Sequence, residues 1–433
     1  MSNEYDAVVV GSGPGGASAA RELCRAGKKV IMLEYGSDGQ WLGTHFSVLN
    51  KVDLRNAVPL GHAPMIRGIT TGGSSLIYCG TATRPPAFIK EQTGVDLEGY
   101  AQDLENELGV SPLPYRLVGE AASRIMDAAN GIGIDWRLLP KFINPDKCVR
   151  DCGDCMLGCK RGAKWSSREF VRQARGMGME LRTRFRVDEV INNNGKALGV
   201  RGNGPGGPAE VRAEKVVIAA GGLGTPVILK RSGIAEAGNG FFSDPLLFTY
   251  GKLADIKKGS IYDIPMTAGT WQYHEEEGFM MTDLAEPWML LWTSMGLNMP
   301  PRLGQLHKVR KVLGIMTKVK DPVSGTINEK GRLRKKLEPE VKKRLRSGDE
   351  KAREILLKAG VKKSSLFTSP IKAAHPGGSA PIGKVVNKNL ETQIKNCYVA
   401  DASVVPDELG TPVVLLSLCI GKYAAKRMLE NWS

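Results

Sequence analysis

The segment that decides the fold is residues 5–34, YDAVVVGSGPGGASAARELCRAGKKVIMLE. Its apolar run at 7–10 predicts a buried parallel strand, and the small residues at 17–25 predict a helix. A second apolar run at 30–33 ends at Glu34. A strand, a glycine-rich turn, a helix and a second strand that ends in an acidic residue are typical of a dinucleotide site. The sequence therefore predicts an α/β fold with a Rossmann-like nucleotide-binding domain.

Each glycine of the turn has its own physical role in such a site. Gly11 allows the tight turn, Gly13 lets a pyrophosphate approach the backbone, and Gly16 lets helix and strand pack closely. The helix N-terminus presents unpaired N–H groups to phosphates, and Glu34 is placed to accept a hydrogen bond from a ribose hydroxyl. This pattern alone does not distinguish FAD from NAD. A glycine-rich turn without a ligand is the alternative interpretation.

Length and cysteine distribution indicate the broad class of protein. At 433 residues, the chain is long enough for two or three domains. The N-terminus runs straight into the first strand without a secretory signal, and no uncharged apolar run approaches the ~20 residues of a spanning helix. Four of the eight cysteines lie within residues 148–159, unlike a disulfide framework. We expect a protein of the reducing cytoplasm, or one held peripherally at the inner face of a membrane.

Positive charge is concentrated in one region. The net charge is +15, and residues 301–365 contain 20 Lys and Arg against 7 Asp and Glu, a balance of +13. No nucleic-acid recognition motif accompanies this charge, so an acidic protein partner or an anionic membrane surface is favoured over nucleic acid. A solvated helical face with i,i+4 ion pairs at 340–360 is the alternative.

The aromatic segment at 288–301 has three possible interpretations. It is an interfacial anchor, a wall of an apolar pocket, or core.

Changes in composition and sequence pattern predict that the chain divides into three parts. Residues 1–245 form the first part of the nucleotide-binding domain and include the cysteine-rich insert at 148–159. Residues 246–365 carry Trp and Met first and then the basic stretch, and they are predicted to form a substrate or docking domain. Residues 366–433 resume the character of the nucleotide-binding domain.

Two later segments are predicted to return to the nucleotide-binding sheet. A strand and glycine turn at 216–226 lead into a helix at 227–232. Near the C-terminus, residues 397–401 predict a strand that ends in an acid. Residues 411–429 predict a helix with Pro412 in its first turn, where a missing N–H costs nothing.

Five sequence motifs follow one another along the chain. They are GSGPGG at 11–16, RGITTGGSSLIYCG at 67–80, AAGGLGTPVILKRSGI at 219–234, HPGGSAPIG at 375–383 and YVADASVVPDELGTPVVLLSLCIGKYAA at 398–425. Together they resemble the glucose-methanol-choline (GMC) family of FAD oxidoreductases, on its cholesterol-oxidase and long-chain-alcohol-oxidase side. The resemblance implies a Rossmann-like FAD-binding domain, a second α+β substrate domain, and oxidation of an alcohol CH–OH or a related apolar donor.

The resemblance also implies which residues hold FAD. The first glycine turn and Glu34 would contact the ADP half, and one strand residue would contact adenine through its backbone. The second glycine motif would lie against the pyrophosphate and flavin, and the C-terminal segment near the ribityl chain and the pyrimidine edge. In chain order these residues are Gly11, Gly13, Gly15, Gly16, Glu34, Gly72, Gly73, Ser74, Val187, Asp401, Pro412 and Val413.

Two residues match catalytic positions of the family. His375 matches the histidine that takes the substrate hydroxyl proton while hydride passes to the flavin, and imidazole suits this role near neutral pH. The family places a second His or Asn where this chain has Thr411. A threonine donates and accepts hydrogen bonds but does not act as a base near neutral pH. The family's usual Asn in the second glycine motif is also replaced, by Tyr78 or Cys79.

Four cysteines, Cys148, Cys152, Cys155 and Cys159, lie within twelve residues. Thiolates are soft ligands, so iron–sulfur and zinc are the candidates for a metal site. Structural zinc sites with four cysteines usually pair two short knuckles across a loop of about 12–20 residues. One compact run is more typical of a [4Fe–4S] cluster. The sequence favours this cluster, with zinc or a redox disulfide as alternatives.

A cluster beside FAD predicts a route for electrons. Iron–sulfur clusters carry one electron at a time, so electrons would leave the flavin stepwise to a protein or quinone acceptor. The chain is therefore predicted to be a dehydrogenase for a small apolar substrate, with an acidic electron carrier or partner subunit docked on residues 301–365. An electron-transfer subunit of a larger complex, or a reductase running in the opposite direction, is the alternative.

Overall fold

The computed structural model describes residues 5–39, 44, 65, 67–284, 286–289, 291 and 309–432. The helices in this part of the chain are α1 Pro14–Arg25, α2 Ala87–Thr93, α3 Glu98–Leu108, α4 Glu120–Asn130, α5 Arg168–Gly176, α6 Gly221–Arg231, α7 Pro339–Lys358 and α8 Val414–Glu430. The strands are β1 Tyr5–Val10, β2 Val30–Leu33, β3 Ser111–Pro112, β4 Arg137–Leu138, β5 Pro140–Lys141, β6 Glu180–Arg182, β7 Arg186–Asn193, β8 Lys196–Gly204, β9 Gly207–Ile218, β10 Pro245–Lys252, β11 Ala268–Thr270, β12 Phe279–Asp283, β13 Val312–Val319, β14 Thr326–Ile327, β15 Leu333–Arg334, β16 Phe367–Thr368, β17 Lys372–Ala373 and β18 Cys397–Val399.

The first sheet has the strand order β6–β2–β1–β9–β8–β7, with β18 paired to β9. Strands β2 and β9 flank β1 in parallel, and β18 is parallel to β9. Strands β7, β8 and β9 form an antiparallel meander. Residues Ala7 to Val10 are all buried, as expected for a parallel strand that is covered on both faces. This sheet confirms the predicted α/β, Rossmann-like architecture.

Helix α8 packs against α1 on this sheet. The Ser18 hydroxyl of α1 donates to the Leu418 carbonyl of α8 at 2.8 Å. The helix begins at Val414, so Pro412 precedes it instead of lying in its first turn. The residues before the helix are held outside it by the Gly410 N–H, which donates to the Asp244 carboxylate at 2.9 Å.

Helix α6 begins at Gly221, six residues earlier than the predicted helix at 227–232. The glycine turn is therefore the first part of the helix. The Asp401 carboxylate accepts a hydrogen bond from the Gly221 N–H at 2.8 Å and stabilises this end. Pro226 lies inside the helix and has no N–H for the Gly222 carbonyl. The Ser379 hydroxyl donates to that carbonyl at 2.8 Å instead.

The second sheet is antiparallel, with the order β16–β10–β13–β12–β11–β4 and with β17 paired to β10. Helices α4 and α7 bury their apolar sides against it, through residues such as Ile125 and Leu345. An antiparallel sheet with helices on one side is an α+β arrangement. Three of its strands, β4, β16 and β17, lie outside residues 246–365, and the predicted domain boundaries stay predictions.

The basic region contains helix α7. Its Arg353 pairs with Asp349 four residues earlier at 2.9 Å, while Val341 and Leu345 face the core. The structure thus contains the solvated helical face with i,i+4 pairs. Of the aromatic segment at 288–301, residues 290 and 292–301 lie outside the described residues. No helix of the described part is long and apolar enough to cross a membrane.

Candidate functional site

The first glycine turn presses against the ends of two neighbouring strands. Gly11 has φ +101°, and a Cβ there would lie 2.3 Å from the Ala219 carbonyl oxygen, just after β9. A Cβ on Gly15 would lie 1.8 Å from the Ala400 carbonyl oxygen, just after β18. Glycine is required at both positions because a side chain would overlap backbone atoms.

Gly16 and Gly13 have contrasting surroundings. A Cβ on Gly16 would lie 2.1 Å from the Gly11 carbonyl oxygen, so α1 packs directly on the turn. A Cβ on Gly13 would meet nothing within 4 Å in the described part of the chain. Gly13 is also the N-cap of α1, and no described side chain occupies the N–H groups of the first turn. Open space at an uncapped helix N-terminus suits a phosphate group.

Glu34 is buried beside this turn. Its Oε2 accepts hydrogen bonds from the Ser12 N–H at 3.1 Å and from the Ser12 hydroxyl, and its Oε1 accepts from the Gly36 N–H at 2.7 Å. Burial raises the pKa of the Glu34 carboxyl, and these hydrogen bonds oppose the rise. A carboxylate has about four acceptor positions. One therefore remains for a ribose hydroxyl.

Ser12 joins the first glycine turn to the second glycine motif. Its hydroxyl oxygen also accepts a hydrogen bond from the Gly72 N–H at 3.0 Å. Gly72 and Gly73 have φ of +90° and +55°. A Cβ on Gly73 would lie 3.1 Å from the Gly13 Cα, and Ser74 follows in a short 3-10 turn. The structure therefore brings the predicted pyrophosphate residues of both motifs together.

Val187 lies at the same end of the site as Glu34. It is buried near the start of β7. Two residues before it, the Phe185 N–H donates to the Glu34 carbonyl at 2.9 Å, and the Arg184 N–H donates to the Gly36 carbonyl at 2.9 Å. This arrangement places the predicted adenine contact next to the predicted ribose contact.

Asp401 lies on the opposite side of the glycine turn. Its Oδ2 accepts from the Gly221 N–H at 2.8 Å and the Thr225 hydroxyl at 2.5 Å, and its Oδ1 accepts from the Ser403 N–H at 2.8 Å. Burial raises the pKa of Asp401, and these hydrogen bonds oppose the rise. Asp401 directly follows the carbonyl that touches the first glycine turn. It therefore connects this turn to the N-terminus of α6.

The N-terminus of α8 is a second place that favours a negatively charged part of a ligand. Helix α8 begins directly after Pro412 and Val413, and no described side chain caps this end, which favours negative charge. This helix end and the open glycine turn fit a dinucleotide with a pyrophosphate and a polar ring, such as FAD.

His375 follows β17 in a left-handed backbone conformation, with φ +51°. Its motif is fixed by two backbone hydrogen bonds between Gly377 and Phe242, at 3.0 and 3.2 Å. It also passes so close to α6 that a Cβ on Gly222 would lie 2.0 Å from the Pro376 carbonyl oxygen. Of the His375 side chain, 23% is exposed. The ring is held in place and part of it stays accessible.

Two charged side chains that the sequence patterns did not single out lie next to the His375 ring. Nδ1 of His375 is 3.1 Å from Lys318 Nζ and 3.3 Å from Asp244 Oδ2. Lys318 and Asp244 are 2% and 0% exposed. The one signal in the sequence is that Lys318 is the sole charged residue of the buried strand VLGIMTKV at 312–319. Asp244 has no comparable signal.

The electrostatic environment keeps His375 neutral. Burial and the nearby Lys318 ammonium hold the pKa of His375 well below its ordinary value. A neutral ring is what a proton acceptor requires. Burial also lowers the pKa of Lys318 to about 8 and raises the pKa of Asp244 to about 7. Thr411 directly follows Gly410, whose N–H donates to Asp244, so Asp244 connects the segment that carries Thr411 to His375.

The four cysteines lie in one irregular segment after β5. Cys155 is buried in a small cluster with Leu113 and Leu117, and Cys148 and Cys159 pack against it. Burial raises the pKa of Cys148 to about 11 and of Cys155 to about 12. Across the described residues, no group of three or more His, Cys, Asp or Glu side chains is placed to bind a metal ion. In this conformation the cysteines do not fit the predicted [4Fe–4S] cluster or its zinc alternative.

The cysteine segment is connected to the second glycine motif by a buried lysine. Lys164 Nζ donates to the Leu76 and Tyr78 carbonyls at 2.8 Å each, and the Tyr78 hydroxyl donates to the Trp165 carbonyl at 2.9 Å. Cys79 lies next in the chain and is only partly exposed. These hydrogen bonds therefore hold the second glycine motif, the predicted wall of the flavin site, against the segment that follows the cysteines.

Proteins of known sequence include several relatives. An uncharacterised GMC-type oxidoreductase of Mycobacterium tuberculosis strain CDC 1551 is 32% identical over 307 residues, which cover 65% of this chain and 48% of the relative. A long-chain-alcohol oxidase of Arabidopsis thaliana is 26% identical over 508 residues, covering 97% of this chain and 68% of the relative. A cholesterol oxidase of M. tuberculosis is 29% identical over 212 residues, covering 38% and 36%. The chain spans about half the length of the first of these relatives.

Solved structures share the fold. Pyridoxine 4-oxidase from Mesorbium loti has a TM-score of 0.72 at 16% identity, over 99% of this chain and 100% of that chain. Formate oxidase from Aspergillus oryzae has a TM-score of 0.70 at 15% identity, over 99% and 98%. At these identities the likeness shows the fold alone. The sequence model of GMC oxidoreductases matches residues 5–246, more than half of this chain, which therefore belongs to the GMC oxidoreductase family.

Proposed function

We propose that this chain binds FAD and oxidises the CH–OH group of an apolar alcohol, with His375 as the proton acceptor. The observation that carries the proposal is the placement of His375, whose ring is partly exposed, whose motif lies against α6 beside the residues that fit FAD, and whose Nδ1 faces Lys318 and Asp244. When bound, FAD supplies the acceptor for the hydride that leaves the substrate carbon. The same residues serve the reverse direction, in which His375 returns the proton.

Each residue of the site has its own role in this reaction. His375 accepts the hydroxyl proton, which lets the oxygen become a carbonyl as the C–H bond breaks. The backbone bonds between Gly377 and Phe242 orient the motif that carries the ring. The N-terminus of α8 favours negative charge at the end of the site where Thr411 lies. Thr411 offers a donor and an acceptor but no base.

Two observations support an apolar substrate. The segment that carries His375 is lined by an apolar cluster of the second sheet, in which Phe248, Met280 and Met316 are buried and Ala374 packs against them. Two relatives are named for apolar alcohols, the long-chain-alcohol oxidase and the cholesterol oxidase. The chain length of the substrate is expected to affect KM more than kcat, because this apolar contact is the same in ground and transition states.

The test is anaerobic reduction of the FAD-loaded protein by a panel of alcohols. We expect loss of flavin absorbance with long-chain or sterol alcohols and little with short polar ones. His375→Ala should slow this reduction by roughly 100-fold or more, as for loss of a general base, while its flavin content stays that of the wild type. Equal reduction rates in the two proteins at equal flavin content would leave His375 without this role and favour an electron-transfer subunit.

We propose as a second candidate that Cys148, Cys152, Cys155 and Cys159 bind a [4Fe–4S] cluster, from which electrons would leave to a protein or quinone acceptor. The ligand type and the compact spacing support it. Lys164, whose N–H donates to Cys159 Sγ at 3.4 Å, also links this segment to the second glycine motif. The side chains would have to converge and lose their protons first. Iron and acid-labile sulfide analysis of anaerobically purified protein tests it, with Cys152→Ser as the control. One zinc and no iron would leave zinc in its place.

A further inference from the structure

We propose that Lys318 and Asp244 decide which nitrogen of His375 carries the proton, and so switch His375 between hydrogen-bond donor and base. Lys318, Asp244 and His375 together form a triad, in which Lys318 and Asp244 are buried and His375 is partly exposed. The proposal rests on the proposed function of His375 and adds two positioning residues to it. The switch is set by the charges of the two residues that face Nδ1.

The neighbours of Lys318 within the sheet do not explain why a charged residue stands at this position. It lies on β13, whose eight residues are all buried. Its pairing partners across the sheet are apolar, Leu246 on β10 and Met280 on β12. Burying an ammonium group is costly unless the group is paired. Its contact with His375 Nδ1, and the attraction of the Asp244 carboxylate, therefore identify the position as part of the site.

Nδ1 of His375 bonds to its two neighbours in opposite ways. A charged Lys318 only donates, so it requires an Nδ1 without a proton, and the ring proton is then on Nε2. An ionised Asp244 only accepts, so it requires Nδ1–H, and the Nε2 lone pair is then free. The two distances are similar, 3.1 and 3.3 Å, so geometry alone does not select one arrangement. The charge states of the pair select it.

Only the Asp244-bonded form makes His375 a base. The substrate O–H proton moves to the Nε2 lone pair, the ring becomes an imidazolium, and Nδ1–H stays bonded to the Asp244 carboxylate. One proton enters the triad and no electrons move in this step.

Burial brings the pKa values of both Lys318 and Asp244 close to neutral pH. It lowers the pKa of Lys318 to about 8 and raises the pKa of Asp244 to about 7. At lower pH Lys318 is charged and Asp244 protonated, which favours the Nε2–H form. At higher pH Lys318 is neutral and Asp244 ionised, which favours the base form. The other titratable groups whose charges act on Lys318 or Asp244 are Cys79, His274, Lys335 and Glu408.

Two substitutions of Lys318 separate this switch from a structural role. Lys318→Arg keeps a permanent positive charge and holds the proton on Nε2 at every pH. Lys318→Met removes the charge at similar length and leaves Asp244 to accept from Nδ1. For an alcohol that reduces the wild-type flavin, we expect kcat to rise about tenfold or more from pH 6.5 to 9. At pH 9, Lys318→Met should stay within about threefold of wild type, and Lys318→Arg should be lower by about tenfold or more.

The tautomer itself is measurable without substrate. In the purified full chain, ¹⁵N labelling of the five histidines gives an Nδ1 resonance for His375 that is assigned by its loss in His375→Gln. We expect it to move from the unprotonated to the protonated position between pH 6 and 9, and to stay unprotonated in Lys318→Arg. A wild-type resonance that does not move overturns the switch, as do matching pH profiles of kcat for the two Lys318 variants. Because this measurement needs no turnover, a protein that oxidises no alcohol would overturn the proposed function and leave the tautomer result intact.

Discussion

Gly13 and Gly15 lie in the same turn, but a side chain would meet different surroundings at each. A Cβ on Gly15 would lie 1.8 Å from the Ala400 carbonyl oxygen, whereas one on Gly13 would meet no atom of the described residues within 4 Å. We expect Gly15→Ala to lower the free energy of unfolding by about 3 kcal/mol or more. Gly13→Ala should change it by less than about 1 kcal/mol. Urea unfolding of the FAD-free protein measures both.

The open space at Gly13 gives this control variant an expected effect of its own. A methyl group there would occupy the position from which a pyrophosphate approaches the N-terminus of α1. We expect Gly13→Ala to raise the Kd for FAD by about tenfold or more, which corresponds to about 1.4 kcal/mol. Titration by flavin fluorescence measures the Kd. Wild-type affinity in this variant would mean that the pyrophosphate binds elsewhere.

The residues of the site differ in how far the sequence could predict them. His375 belongs to a short motif and is visible locally. Asp244 and Lys318 reach it only because β10, which Asp244 precedes, pairs with β13, which carries Lys318. No local pattern reports the pairing of two strands that are distant in the sequence. The grouping of Asp244, Lys318 and His375 is therefore visible only in the folded structure and not in the sequence.

Secondary-structure elements were predictable in kind but not at their ends. Helices α6 and α8 were both expected, from a glycine turn and from an apolar run. α6 begins at Gly221 because Asp401, from the C-terminal part of the chain, accepts from its N–H. α8 begins at Val414, after a segment whose Gly410 N–H is bonded to Asp244. In both cases a distant residue sets the boundary, and helix propensity does not contain that information.

Helix α8 depends on a close approach to α1. A Cβ on Gly421 would lie 2.1 Å from the Gly15 carbonyl oxygen. We expect Gly421→Ala to lower the free energy of unfolding by about 2 kcal/mol, because overlap outweighs the gain in helix propensity of about 1 kcal/mol.

The matched control is Gly176→Ala at the end of α5, where a Cβ would meet nothing within 4 Å in the described part of the chain. This variant should be neutral or more stable by up to about 1 kcal/mol. Thermal unfolding of the two variants compares them. Equal stabilities would mean that α1 and α8 separate easily enough to admit a methyl group.

The whole molecule combines one sheet that was predictable with one that was not. The Rossmann-like sheet follows from a strand, turn and helix that are contiguous in the sequence. The second sheet recruits β4 from before residue 246 and β16 and β17 from after residue 365. These strands have two residues each. A two-residue strand has no detectable period, so its partner is determined only by the folded chain.

Lys141 connects the site to this second sheet. Its buried Nζ donates to the Cys79 carbonyl at 2.7 Å and the Thr81 hydroxyl at 2.9 Å on one side. On the other side it donates to the Pro265 and Met266 carbonyls at 2.9 and 3.1 Å. Burial lowers the pKa of Lys141, so its charge is maintained at a cost that these four acceptors offset.

Lys141→Met should therefore destabilise the whole protein and not only its own strand. Methionine matches the length of lysine but leaves the buried Cys79 and Pro265 carbonyls without the donor that Lys141 supplies, and we expect a loss of about 3 kcal/mol or more in the free energy of unfolding. The control is Lys388→Met at an exposed position, which should stay within about 0.5 kcal/mol of wild type. Urea unfolding followed by far-UV circular dichroism and by tryptophan fluorescence measures both. A single transition shifted equally in both signals is expected, because the lysine joins the second glycine motif to the residues that precede β11 of the second sheet. Unfolding of one part at wild-type urea concentration, with the other part shifted, would show that Lys141 stabilises only one of them.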